Sequence, residues 1–244
     1  MSPRSLLESP AAAIVVASVS LSVFAWTLAI PSGAGFSYDD REAIVGNPVV
    51  EGAVPAWEAF RRDYWHHYED AGHYRPGATL LLRWDRARAE RADGTLDPAV
   101  FRRTNVGLHA VVLMLVGLAL LRMAGRSGVA VPWFGFGLLA LHPACADVVA
   151  WISGRTSLVS ALGAAVGLLA STFVTGDPER KHSDAAVATL AGLVGTGLAL
   201  LGKEDGVVLV VALPIACAWM GGRGAAVAAL VGCLAVPDVR PGSS

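Results

Sequence analysis

Two adjacent carboxylates, Asp39 and Asp40, stand just past the first apolar segment, where the one long polar stretch of the chain begins. Carboxylates at a membrane surface are costly to desolvate and gain nothing from packing, so their placement points to chemistry rather than architecture. They belong to the run Phe36-Ser37-Tyr38-Asp39-Asp40-Arg41-Glu42-Ala43-Ile44, which is followed by Asn47-Pro48. Three polar clusters separated by apolar stretches share this character. The first runs from Tyr38-Asp39-Asp40 to Tyr74-Arg75-Pro76. The second holds His142-Pro143, Asp147 and Trp151-Ile152-Ser153-Gly154-Arg155, and the third is Gly202-Lys203-Glu204-Asp205-Gly206. Chemistry that needs an acid/base carboxylate together with cations on a phosphate would use such a set if the fold brings it together.

The elements that must position these clusters are membrane helices. The 244 residues are 54% hydrophobic and 16% charged, against about a quarter charged in a soluble domain. A formal net charge of −1 argues against a nucleic-acid partner. Candidate spans lie near 11–30, 105–121, 129–142, 157–175, 185–202, 207–220 and 225–237, of which the third, sixth and seventh are short for a bilayer. The expected fold is an all-α integral membrane protein, a polytopic bundle of about six or seven transmembrane helices. Residues 1–30 form the N-terminal helix, 31–104 a long outer loop, 105–237 the rest of the bundle, and 238–244 a short polar tail. Arg4 precedes the run Ala11 to Ile30, which is too long for a signal core and fits a retained helix better than a cleaved peptide.

With a cytoplasmic N-terminus, the inner turns carry Arg122, Arg126, Arg180, Lys181 and Arg223. The short outer turns carry only Arg155 and Lys203, as the positive-inside rule requires. All three polar clusters then face the outer side. Within the long loop, Trp57, Phe60 and Tyr64 on 55–65, and Leu80, Leu81 and Trp84 beside the arginine tract 83–91, have helical spacing. Both predict interfacial amphipathic helices with their aromatic side in lipid, although an ordinary folded loop explains the first equally well. Gly192, Gly195 and Gly197 read as close helix contacts. Cys145, Cys217 and Cys233 read as small buried hydrophobes, with neither zinc spacing nor a disulfide framework.

These residues also carry a family resemblance. Phe36 to Asp40 with Ala43-Ile44 and Asn47-Pro48 resembles the first outer loop of GT-C-fold membrane glycosyltransferases. The nearest likeness is to the transmembrane-and-TPR O-mannosyltransferases and their bacterial counterparts. Tyr74-Arg75-Pro76 resembles the family's Tyr-Arg-Pro-Leu element, with Gly77 in place of Leu, and Asn105 through His109 its Asn-x-x-x-His helix start. Leu141-His142-Pro143 with Asp147 to Arg155 resembles its His-Pro…Glu-x-Val-Ala-Trp-Ile-x-Gly-Arg signature, with Asp147 in place of Glu. Lys203-Glu204 resembles its Lys-Glu pair.

The resemblance covers about residues 36–210 and implies transfer of a mannose-type sugar from a polyprenyl-phosphate donor. The acceptor would be a protein or glycan hydroxyl on the outer face of a bacterial inner membrane. It implies that Asp39 or Asp40 is the catalytic carboxylate; the other member could orient it or raise its pKa by like-charge repulsion. It further implies that Arg75, Arg155 and Lys203 hold the lipid phosphate, with His142, Asp147 and Glu204 in support and Glu204 paired to Lys203. Asp39 and Asp40 are the ligands if a divalent cation accompanies the donor. Family members usually have further membrane helices and a C-terminal TPR domain. The expectation here is therefore a truncated or partial chain, and the alternative function is a non-catalytic membrane protein that binds a lipid-linked ligand or a partner.

Each residue also has a plainer reading. Asp39-Asp40 can be a solvated turn or a helix N-terminus, Arg155 an interfacial arginine closing a helix, and His142 a helix-terminus residue bonded to carbonyls. The patch His66, His67, Glu69, Asp70 and His73 is rich in potential ligands but matches no zinc spacing, and a solvated loop explains it better. Trp57, Trp65, Trp84 and Trp151 read as interfacial anchors.

Overall fold

The computed structural model describes residues 10–31, 33–65, 72–124, 136–140, 142–174 and 177–236. The patch His66, His67, Glu69 and Asp70, the turn residue Arg126, most of the expected span 129–142, and the tail all lie outside the described residues.

Among the described residues the bounded α-helices are α1 (Pro10–Ala29), α2 (Tyr38–Ile44), α3 (Pro48–Glu51), α4 (Pro76–Ala89), α5 (Pro98–Ala124), α6 (Pro143–Ala150), α7 (Arg155–Ser171), α8 (Lys181–Gly202), α9 (Leu209–Gly221) and α10 (Arg223–Leu234). Short 3-10 turns intervene, and among the described residues the extended backbone pairs only in an isolated bridge between Glu90 and Leu96. The protein is an all-α membrane protein. Four apolar stretches, Ala12–Ala29, Pro98–Met123, Ile152–Ser171 and Pro178–Gly202, are helical and long enough to cross a bilayer. Helices α9 and α10, of 13 and 12 residues, are shorter, and Pro214 interrupts α9.

The order of ends follows from the connections. The C-terminal ends of α1 and α8 and the N-terminal ends of α5 and α7 meet at one end of the bundle. There Arg102 on α5 donates to the carbonyls of Ala34 (2.7 Å), Gly35 and Ala150, and Asn105 donates to the carbonyl of Trp151 (2.9 Å). At the other end Arg122 of α5 donates to Thr172 Oγ1, past the end of α7, at 2.9 Å.

Small residues let the long helices touch. Gly163 of α7 lies so close to α8 that a methyl group on it would stand 2.2 Å from the amide nitrogen of Ala199. Gly192 and Gly195 serve the same purpose, whereas Gly197 faces open space apart from Val236 at 4.0 Å and is no such contact.

The long loop folds into a helical cap with its own core, in which Ala43, Ile44, Val50, Tyr64, Ala78 and Leu82 pack with Phe101 and Ile152 of the bundle. Two expectations change here. Residues 55–65 do not form one helix: Ala56–Phe60 is a single 3-10 stretch. Beyond it the carboxylate of Asp63 accepts the amides of Trp65 and His73 at 3.1 Å each, and Tyr64 N–H donates to the His73 carbonyl at 2.8 Å. These bonds close a turn instead of extending a helix and carry Tyr64 inward, to 1% exposure, rather than to lipid. Trp57 and Phe60 stay outside, at 50% and 39% exposure.

In α4 the buried stripe is Ala78, Leu82, Asp85 and Ala89, the four-three-four spacing of one helix face. Trp84 faces out beneath the Arg88 guanidinium, while Leu80 and Leu81 are half-buried.

Gly163→Val should lower stability by about 1–3 kcal/mol through forced separation of α7 and α8, whereas Gly197→Ala should be neutral or slightly stabilising. Thermal unfolding in detergent micelles compares the two; equal effects would remove the packing role assigned to Gly163.

Candidate functional site

At the end of the bundle beneath the cap, a buried ionic clamp fixes the geometry. Arg155 opens α7 with its side chain fully enclosed. It pairs with Asp85 of α4 at 2.6 Å and donates to Asn105 Oδ1 at 2.9 Å and to the Phe101 carbonyl at 2.6 Å. Asp85 also receives Thr104 Oγ1 at 2.7 Å and an Arg88 guanidinium. Cap helix α4, α5 and α7 therefore share one desolvated knot of charge. Each of its ions would be intolerable without the other.

The acidic pair is split by its surroundings. Ser37 caps α2, and Asp40, in the third helical position, turns back onto it: Oδ2 accepts Ser37 N–H at 3.0 Å and Ser37 Oγ at 2.9 Å. Oδ1 accepts Ser153 N–H and Ser153 Oγ, both at 2.9 Å. Asp40 is fully buried with four hydrogen bonds, and it ties the first polar cluster to the second. Asp39 is half-buried, and among the described residues its carboxylate accepts no hydrogen bond. Partial burial raises its pKa above the ordinary value, the charges of Asp40 and Glu42 add to this, and Arg75 opposes it. Asp39 is thus an accessible carboxylate with unused lone pairs and weakened acidity.

Arg75 ties the first cluster to the third. Pro76, at the first position of α4, ends the preceding extended strand of backbone and leaves Arg75 just outside the helix, where its carbonyl accepts Thr79 N–H and Oγ1 at 3.1 Å. Its guanidinium lies 5.4 Å from the Tyr64 ring centroid and grips Glu204 with two bonds, Nε to Oε1 at 3.2 Å and Nη2 to Oε2 at 3.1 Å. Lys203 pairs with Asp205 at 2.9 Å. The expected Lys203–Glu204 pair is therefore replaced, because consecutive side chains at the end of α8 diverge and Arg75 offers a two-pronged partner. Burial alone would raise the Glu204 pKa, but the bonds and charge of Arg75 more than reverse this and hold it below the usual carboxylate value.

The remaining expected residues sit apart. His142 caps α6 by accepting the Ala144 amide on Nδ1 at 3.3 Å, a bond to an amide rather than to a carbonyl. Asp147 is exposed on α6, and neither side chain bonds to the acidic pair or to Arg75 among the described residues. Asn47 and Pro48 form an N-cap and first turn, with Asn47 Oδ1 accepting the amides of Val49 and Val50 at 3.1 and 3.2 Å. Among the described residues no cluster of three or more His, Cys, Asp or Glu could hold a metal ion. A groove of about 930 Å³ runs between the end of α1 and the start of α5, walled by Trp26, Leu28 and Ile30 and edged by Arg91, Asp97 and Arg102.

Among the residues that fix the site, the sequence does not single out Asp85; Tyr64 stands there only as an interfacial aromatic, Ser153 only within the second polar cluster, and Asn105 only in the helix-start motif. Asp85 lay hidden in an arginine tract; its place on the stripe 78, 82, 85, 89 was the one available signal.

Several relatives of this chain are named protein O-mannosyl-transferases. The Drosophila melanogaster protein O-mannosyl-transferase Tmtc1 is 36% identical over 132 residues, which cover 52% of this chain and 14% of the relative. Human protein O-mannosyl-transferase TMTC4 is 27% identical over 226 residues, 84% of this chain and 29% of the relative. Human TMTC3, with the same enzyme name, is 28% identical over 181 residues, 72% and 18%. The chain spans less than a third of the length of each. No family model matches it. No solved structure matches it either.

The clamp can be tested without any activity assay. Asp85→Asn should cost about 3–5 kcal/mol, because it leaves the Arg155 charge buried without its partner. The double variant Asp85→Leu with Arg155→Met should lose much less than the sum of the single changes. Thermal unfolding in micelles reads both, and additive losses would dissolve the clamp into two independent residues.

Proposed function

We propose that this end of the bundle transfers a mannose-type sugar from a polyprenyl-phosphate donor to a hydroxyl of a protein or glycan acceptor, in the manner of a GT-C glycosyltransferase. The observation that carries the reading is the position of Asp39, an accessible carboxylate with free lone pairs and a raised pKa, within the electrostatic reach of Arg75. Asp39 is the general base: it takes the proton as the acceptor oxygen attacks the anomeric carbon and the bond to the phosphate oxygen breaks. The electron pair leaves with the phosphate, where Arg75 and Lys203 stabilise the developing charge. Asp40 and Arg155 hold the frame, and Glu204 engages Arg75 before the donor arrives.

The isoprenoid chain lies in the groove along α1, whose apolar wall ends near Gly35, two residues before Ser37. If a divalent cation takes part, Asp39 is its carboxylate ligand, since the acceptor positions of Asp40 are filled. The reaction takes place on the non-cytoplasmic face; Arg122, Arg180 and Lys181 at the opposite end of the bundle support this orientation under the positive-inside rule. The names of the relatives support the transferase class.

Asp39→Asn should reduce sugar transfer from a polyprenyl-phosphate donor in membranes by about 10²–10⁴-fold at unchanged protein level. Asp40→Asn should instead lower stability, because an amide turns a donor toward Ser37 or Ser153. Full activity of Asp39→Asn would sink the assignment.

The pH profile offers a separate check. The base works deprotonated, so the rate falls as pH drops through the Asp39 pKa. Arg75→Gln removes the charge that lowers this pKa and should move the acid limb to higher pH; an unmoved limb, or one moved down, would count against Asp39 as the base.

A further inference from the structure

The two cations on the open side of the site are each already engaged by a carboxylate more exposed than themselves. The Arg75 side chain is 10% exposed and that of Glu204 46%; for Lys203 and Asp205 the values are 32% and 72%. We propose that Glu204 occupies the Arg75 guanidinium in place of a phosphate, so that the Arg75–Glu204 pair is a latch which an arriving phosphate opens. This rests on the reading of Arg75 as the phosphate cation given above.

Three observations lead there. A carboxylate and a phosphate present the same pair of oxygens to a guanidinium fork, so the exchange conserves both bonds. The guanidinium is the fixed half, since it lies beside the buried Tyr64 ring and its backbone carbonyl is bonded to α4. The carboxylate is the half free to swing. It opens the 3-10 turn Glu204–Val208 on the solvent side, while the turn's backbone is anchored at Gly206, where a methyl would stand 2.8 Å from Ala199. Glu204 is also a true competitor for the cation: Arg75 keeps its acidity above normal, so it stays anionic at neutral pH.

The exposed carboxylate must be displaced before the phosphate can bind, and that requirement carries a signature which a purely supporting role lacks. A supporting residue weakens binding when it is altered, whereas a competing one strengthens it. Glu204→Gln keeps size and hydrogen-bonding capacity but removes the charge, so phosphate should bind more tightly. Glu204→Asp, still charged but a methylene shorter, should give a smaller gain.

The experiment measures binding to the purified full chain, with inorganic phosphate in detergent and with polyprenyl phosphate in nanodiscs. Glu204→Gln should tighten binding about fivefold, and the gain should vanish on an Arg75→Gln background. A gain with both probes marks the headgroup as sufficient; a gain with the lipid alone marks an anion delivered from the membrane, and either outcome supports the latch. Unchanged or weakened binding in Glu204→Gln, or a gain that survives Arg75→Gln, overturns it. If the wild type and every variant bind neither probe, the phosphate role of Arg75 falls too. That failure is distinct from a latch failure, in which phosphate binds through Arg75 but ignores Glu204.

Discussion

The contact on which the rest of the site depends is the pair Arg155–Asp85, two charges with no exposed side-chain surface at 2.6 Å. Such a pair contributes little net stability compared with well-packed apolar residues, since desolvating each ion costs several kcal/mol and the attraction roughly returns it. Its value lies in what it forbids. With Arg155 enclosed, its partners Asp85, Asn105 and the Phe101 carbonyl must all be in place, so α4, α5 and α7 have one mutual arrangement. The cap sits over the bundle in a fixed register because any other would strand a charge. The loop from Trp151 to Gly154, which Asn105 also grips, inherits that register and presents Ser153 to Asp40.

Asp40 repeats this logic at a smaller scale. Its four acceptor bonds come from two serines, one on each side of the acidic helix turn. A buried carboxylate so provided for cannot move without losing several bonds at once. Its neighbour on the same turn gets none of them. One residue along a helix rotates a side chain by about 100°, and here that rotation separates a fully buried residue from a half-buried one. The pair is therefore two residues with opposite demands, one satisfied and one open, rather than two copies of one function.

Much of this could be read from residue types and spacing. The all-α membrane fold follows from the apolar stretches, and the meeting of the polar clusters from their order between those stretches: Asp40 with Ser153 joins the first to the second, and Arg75 with Glu204 the first to the third. The part that escaped is what side chains do once they meet. Arg155 was legible as a cation beside a helix start, but its burial depends on Asp85, seventy residues earlier and masked by four arginines around it. Tyr64 had helical spacing with Trp57 and Phe60, yet the carboxylate of Asp63 bent the chain and sent the ring inward. Pairings such as Lys203 with Asp205 rather than Glu204 rest on side-chain direction, on which one-letter adjacency is silent. Periodicity speaks for elements; it does not choose among equally charged partners.

The cations now rank by depth. Arg155 and its partner are fully buried, Arg75 is 10% exposed with a partner at 46%, and Lys203 is 32% exposed with a partner at 72%. In the interior an exchange of partners would strand a charge, so Arg155 is committed. At the outer edge water and salt screen the pair, so Lys203 gains little from any single anion. Only between these limits is a cation both dry enough to bind an anion firmly and wet enough on its partner's side to release it. Arg75 occupies that interval and is also the cation whose charge is felt by Asp39. An anion that replaced Glu204 there would leave the local charge nearly unchanged while filling the space beside the open carboxylate. On these grounds Arg75 is the first contact of the proposed phosphate, with Lys203 as the outer, screened cation beside it.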